Sequence, residues 1–121
     1  MSDILLIAAG LLGLIVAGVH SYMGQVRLIA PAKFTGAVQR GMVQAIWHFS
    51  ALAWAAAALV FLYAAQRLTG EARWLAVTLA CLPLAYGLVC NVWITRGKHF
   101  GGLLLAVVIA LALAGGSGRF G

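Results

Sequence analysis

The stretch AIWHFSALAWAAAALVFLYAA, residues Ala45–Ala65, decides the fold. It carries no Asp, Glu, Lys or Arg. About 20 predominantly apolar residues, rising about 1.5 Å each in a helix, cross the hydrocarbon core of a bilayer. The stretch therefore reads as a membrane-crossing helix. His48 is its odd member. An ionisable group at membrane depth is rare, and it faces a protein interior or a site rather than lipid.

The rest of the chain agrees with a lipid solvent. Of 121 residues, 64% are hydrophobic and 8% charged, and the mean hydropathy is +1.06. A soluble domain is about half apolar and about a quarter charged. With the quoted run extended to Met42–Gln66, the runs Ile4–Met23, Trp74–Thr95 and Phe100–Gly115 give four spans. The expected fold is an all-α membrane protein, a single four-transmembrane-helix bundle over residues 1–115. Its approximate helices are 4–23, 42–66, 74–95 and 99–115, its loops are short apart from one longer interfacial loop, and a flexible tail follows over 116–121. The first run is too long for a signal peptide and begins with Asp3 where a positive region belongs, so it reads as a retained helix.

The net charge of +6 forms no basic stripe or arm, so nucleic acid is not an expected partner. Cys81 and Cys90, nine residues apart, fall on opposite faces of one helix and read as small buried residues.

The longest connection is GQVRLIAPAKFTGAVQR, Gly24–Arg40. Arg27, Lys33 and Arg40 recur about every seven residues, with Val26, Ile29, Phe34 and Val38 between them, and Pro31 interrupts a continuous helix. An interfacial segment half in the headgroups is expected, with a lid over a site as the alternative. The first and third connections hold Arg27, Lys33, Arg40, Arg96 and Lys98. The opposite side holds Arg67, Arg73 and Arg119, offset by Asp3 and Glu71. The positive-inside rule places the first and third connections in the cytoplasm and both termini outside it.

No Asp or Glu lies within a span. In size and span number the chain is similar to the small multidrug-resistance transporters, whose first helix carries a glutamate, and nothing here matches that residue. The polar residues of the spans are His20, His48, Asn91 and His99, one per helix, each within roughly 10 Å of the same interface by helical rise. Each shares a face with small residues: Gly13, Ala17 and Gly24 with His20; Gln44, Ala51 and Ala55 with His48; Pro83 and Gly87 with Asn91; Gly102, Ala106 and Ala110 with His99. Small residues mark close helix packing in membranes, so these groups are expected to point into the bundle or at a second protomer. Pro83 predicts a kink.

Neutral imidazole binds haem iron and transition metals, and helix bundles build such sites from facing helices. The expected cofactor is haem b or a Cu, Fe or Zn ion, with His20 and His48 as principal ligands and His99 as a third metal ligand or gate. Arg27 and Arg40, or Arg96 and Lys98, are placed to hold haem propionates. Asn91, Gln44 and Tyr22 are expected around the ligands. No H-x-x-x-H, H-E-x-x-H or C-x-x-C-H motif is present. The competing reading is structural: a membrane histidine bonded to Asn91, Ser50, Tyr22 or a carbonyl glues helices at about 0.6–2 kcal/mol. Trp47, Trp74 and Trp93 read as interfacial belt residues, with Trp47 and Trp93 alternatively walls for a flat ring. Trp54 lies deeper.

The pattern H-S-Y-x-G over His20–Gly24, followed by W-H at Trp47–His48, resembles a group of uncharacterised small bacterial four-span membrane proteins. That resemblance covers most of the chain and implies the bacterial inner membrane, but no activity. The layout is also remotely similar to the small bacterial haem-binding membrane proteins that oxidise protoporphyrinogen, through size, four spans, His20 and the following Arg27. Three readings follow: a redox protein binding haem or a transition metal; a small homo-oligomeric transporter or channel gated by its histidines; or a non-catalytic accessory subunit of a larger membrane complex.

Overall fold

The computed structural model describes residues 1–117. Helix α1 spans Ser2–Met23 and runs into a π-helical turn over Gly24–Ile29; α2 spans Ala37–Arg67, α3 Gly70–Thr95 and α4 Phe100–Ser117. All four are long and apolar enough to cross a membrane, and no strand occurs among the described residues. The fold is an all-α four-helix bundle whose helices are compatible with lipid contact. In space α1 lies against α2 and α4, and α3 against the same two, so the helices form a square in chain order.

Small and medium residues make the interior. Ala9, Ala17, Ala57, Ala58, Ala64 and Ala112 are buried beside Leu6, Phe61, Val77, Leu84 and Val108. Larger apolar side chains such as Ile15, Leu52, Leu82 and Leu103 are more than half exposed. In lipid, leucine gains nothing by hiding, so helices associate by close backbone approach at small residues. A Cβ on Gly13 would stand 2.9 Å from that of Ala58, and one on Gly10 2.9 Å from the Ala58 carbonyl oxygen. Glycine there lets α1 and α2 meet.

The helices extend beyond their expected ends. The first does not stop at Met23: the Ala30 N–H reaches the Gln25 carbonyl, five residues back, at 2.9 Å. Gly24 and Ile29 are both buried. Five residues apart, they would face about 140° from each other in an α-helix, and the wider turn returns them to one side. The interfacial segment expected over 24–40 is thus a helical extension, a short turn over residues 30–36, and the first residues of α2. That start is fastened by Gln39, whose Oε1 accepts from the Thr35 N–H at 3.0 Å and the Thr35 hydroxyl at 2.8 Å, a relative of the capping box. Helix α3 ends with Arg96 (φ 52°) and Gly97 (φ 72°) in left-handed conformations, and the Gly97 N–H returns to the Val92 carbonyl at 3.0 Å, as in a Schellman motif. Of the expected tail, Gly116 and Ser117 belong to α4, and residues 118–121 lie outside the described residues.

Because α3 begins at Gly70 rather than near Trp74, Arg73 belongs to the bundle and not to a connection. It is 0% exposed. Its Nη1 donates to Asp3 of α1 at 2.6 Å and its Nη2 to the Gly115 carbonyl of α4 at 3.0 Å. The last carbonyls of a helix lack intrahelical partners, so the guanidinium caps α4 while pairing with α1. Asp3→Ala is expected to lower stability in detergent by about 1–3 kcal/mol. That is less than the roughly 3–5 kcal/mol for breaking a fully buried pair, because the Asp3 side chain is 40% exposed. Exposed Glu71→Ala is expected to change it by less than about 0.5 kcal/mol. Equal thermal shifts for the two variants would contradict this role for the pair.

Candidate functional site

The opposite end of the bundle brings His20 and His48 together across α1 and α2. Each is bonded to a serine of the other helix. His20 Nε2 lies 2.9 Å from Ser50 Oγ, and His48 Nδ1 lies 2.8 Å from Ser21 Oγ. The proton count fixes both rings. Ser50 spends its only hydroxyl proton on the Trp47 carbonyl at 2.6 Å, so its oxygen must accept and His20 Nε2 must donate. Gln25 Oε1 accepts from Gln44 Nε2 at 3.2 Å and faces His48 Nε2 at 3.3 Å, so His48 carries its proton on Nε2 and takes the Ser21 hydroxyl at Nδ1. In His20, Nδ1 is left with a lone pair and no hydrogen-bond partner among the described residues.

Two indoles enclose His20. Trp47 stacks on it with ring centroids 4.3 Å apart and an interplanar angle of 17°. Trp54 lies 4.2 Å away, tilted by 40°. Each indole is seated in a notch made by a glycine. A Cβ on Gly24 would overlap the Trp47 indole nitrogen, and one on Gly87 would overlap the Trp54 indole. Both N–H groups are used: Trp47 donates to the His20 carbonyl at 3.0 Å, and Trp54 to the Pro83 carbonyl of α3 at 3.1 Å. Trp47, half-buried, therefore forms one wall of the cluster. Trp93, 82% exposed, faces outward.

The remaining expected site residues divide. Gln44 joins the network through Gln25. Tyr22 is 66% exposed and lies on the outer surface of α1. Arg27 and Arg40 are exposed at the histidine end. His99 stands apart from the pair. It precedes α4, and its Nδ1 accepts the Gly101 N–H at 3.1 Å and lies 3.4 Å from Asn91 Nδ2. Asn91 thus serves His99 and not the histidine pair. Both open on a groove of about 490 Å³ between α3 and α4. The sequence missed Ser21 and Gln25. Their signal was there: Ser21 and Gln25 on one helix, and Gln44 and His48 on the other, are both spaced to share a face.

The arrangement bears on the expected cofactors. Among the described residues no three His, Cys, Asp or Glu side chains gather to hold a metal ion, so the three-histidine site is not formed. Haem with two axial histidines needs a bare nitrogen from each ring across the width of a porphyrin. His48 offers none, and indoles cover His20 at 4.3 and 4.2 Å. As arranged, the pair does not fit a bis-histidine haem.

Comparison with family models, with curated proteins and with solved structures finds no match to this chain. Function must therefore be argued from the site itself.

The glycine notch makes a direct test of the cluster. Gly24→Ala is expected to push Trp47 off His20, costing about 1–3 kcal/mol through overpacking and changing the near-ultraviolet circular dichroism of the tryptophans. Gly18→Ala, where an added Cβ meets nothing within 4 Å, is expected to be neutral or stabilising by up to about 1 kcal/mol. Matching spectra for the two variants would contradict the stack.

Proposed function

We propose that the protein is a small proton-responsive transporter or channel, in which His20 accepts the proton that gates or drives passage. The observation that carries this reading is the open Nδ1 of His20, in a cluster where both nitrogens of His48 and the hydroxyls of Ser21 and Ser50 are engaged. Histidine is the side chain whose ordinary pKa lies between about pH 5 and pH 8. The indoles at 4.3 and 4.2 Å suit both forms of the ring, stacking on the neutral one and attracting the cation through their faces. No Asp or Glu other than Asp3 and Glu71 exists in the chain, so the imidazoles are the titrating groups available to such a path.

The working form is a homo-oligomer in the bacterial inner membrane. Only 17% of the most apolar stretch of α3 is buried within one copy, which supports contact with lipid and with further copies. The histidine end faces the cytoplasm and both termini face away from it. Arg27, Lys33, Arg40, Arg96 and Lys98 support this by the positive-inside rule.

A second reading, haem or transition-metal redox chemistry, is favoured by the same open nitrogen. It requires His20 Nδ1 as the ligand and further ligands from outside this chain, such as a second copy.

Reconstitution into vesicles with a pH gradient tests the first reading. Wild type is expected to dissipate the gradient at least about tenfold faster than protein-free vesicles, His20→Ala to fall to their rate, and His99→Ala to retain most of the activity. A wild-type rate equal to that of protein-free vesicles would remove the transport reading. A Soret band, or stoichiometric Cu, Fe or Zn, lost in His20→Ala would support the second.

A further inference from the structure

We propose that the hairpins α1–α2 and α3–α4 open like tweezers at the histidine end, about the Arg73 contact, with Trp54 coupling the opening to protonation of His20. This gives a regulatory device to the site proposed above, and it rests on that reading for its purpose but not for its geometry.

The geometry comes from where the connections and polar ties fall. The turns within the hairpins, residues 30–36 and 96–99, both lie at the histidine end. The single link between hairpins, Leu68–Thr69, lies at the other end, beside Arg73. The polar side-chain ties follow the same plan. At the histidine end they run within hairpins: His20 to Ser50, Ser21 and Gln25 to His48, Gln25 to Gln44, and Asn91 to His99. At the other end Arg73 joins α3 to Asp3 of the first hairpin. Among the described residues the two tips thus share no polar side-chain tie where the histidines sit, and one fastens the hairpins at the other end.

One polar tie crosses between the hairpins near their middle. Trp54 donates to the Pro83 carbonyl and fills the notch at Gly87, while its other side meets His20 at 4.2 Å. A change in the His20 ring reaches α3 through this one indole. A proton added at Nδ1 meets no acceptor in the closed arrangement. Water drawn to the added charge enters beside Trp54 and parts it from α3.

The charge surroundings leave this step to the imidazoles. From α2, His20 meets Trp47, Ser50 and Trp54, and His48 is the other titratable group of the cluster. From α3 the approach is the backbone at Pro83 and Gly87, behind Trp54. The nearest titratable groups at the start of α4, Lys98 and His99, line the separate groove. No Asp, Glu, Lys or Arg side chain bonds to either ring among the described residues.

Paired spin labels measure the motion directly in full-length protein in nanodiscs, with Cys81 and Cys90 replaced by alanine. Val38 with Ile94 reports α2 against α3 at the histidine end, and Tyr63 with Leu75 reports the Arg73 end; all four are more than half exposed. Lowering the pH from about 8 to about 5 is expected to add a longer-distance component to the first pair and leave the second unchanged. Trp54→Phe, which keeps a ring but loses the N–H donor, is expected to separate the opening from pH. A first-pair distribution that does not move with pH, or equal movement at both ends, would overturn the proposal. Widening without flux in vesicles would keep the device and remove the transport reading; flux without widening would do the reverse.

Discussion

A bilayer offers no water to a stranded polar atom, so each must be answered from within the protein. The crossed pairing of His20 with Ser50 and Ser21 with His48 is how α1 and α2 meet that demand. Each helix supplies one imidazole and one hydroxyl, and neither is satisfied alone. The pairing fixes register as well as contact. Sliding one helix by a turn, about 5.4 Å, would break both bonds at once. The glycines follow from it: Gly10 and Gly13 permit the approach along the helices, and Gly24 admits the indole that covers His20.

Much of this was legible because the membrane code is simple. Long uncharged runs gave the four helices, and small residues gave the inward faces of Gly13, Ala17 and Gly24 on α1 and of Ala51 on α2. What stayed hidden has physical causes. A π turn shifts the phase of a helix without changing its composition, so Ile29 gave no sign of rejoining the side of Gly24. Arg73 sits three residues into α3, where a charge ordinarily belongs to water. Its partners Asp3 and Gly115 are distant in sequence, and only the closed bundle brings them near. An indole suits an interface and an interior wall equally, so Trp47 could not be assigned by type. Depth was readable for all three histidines, but neighbourhood was not. His99 lies at the right end beside α3, while the pair lies between α1 and α2. The stripe expected through Ala106 and Ala110 also drifts outward, because the inward face of α4 runs through Leu105, Val108 and Ala112.

The two ends of the bundle use different chemistry. Arg73 joins three helices through its contacts to Asp3 of α1 and the end of α4. The histidine end is built of imidazoles, hydroxyls and amides bonded to one another. The short link between hairpins lies at the Arg73 end, and on the proposed reading a pH-dependent change falls at the other.

Under the proposed reading, donor count favours a proton over a metal as the partner of this site. A structural zinc takes four ligands and a catalytic zinc three from protein, and two-ligand haem needs a lone pair from each of two rings. The cluster has one lone pair to give. Releasing a second from His48 would mean withdrawing its Nδ1 from Ser21, or shedding its Nε2 proton and leaving Gln25 Oε1 without that donor. Each change strands an atom that the fold has paired. On the proposed reading, a proton asks only for the nitrogen already open.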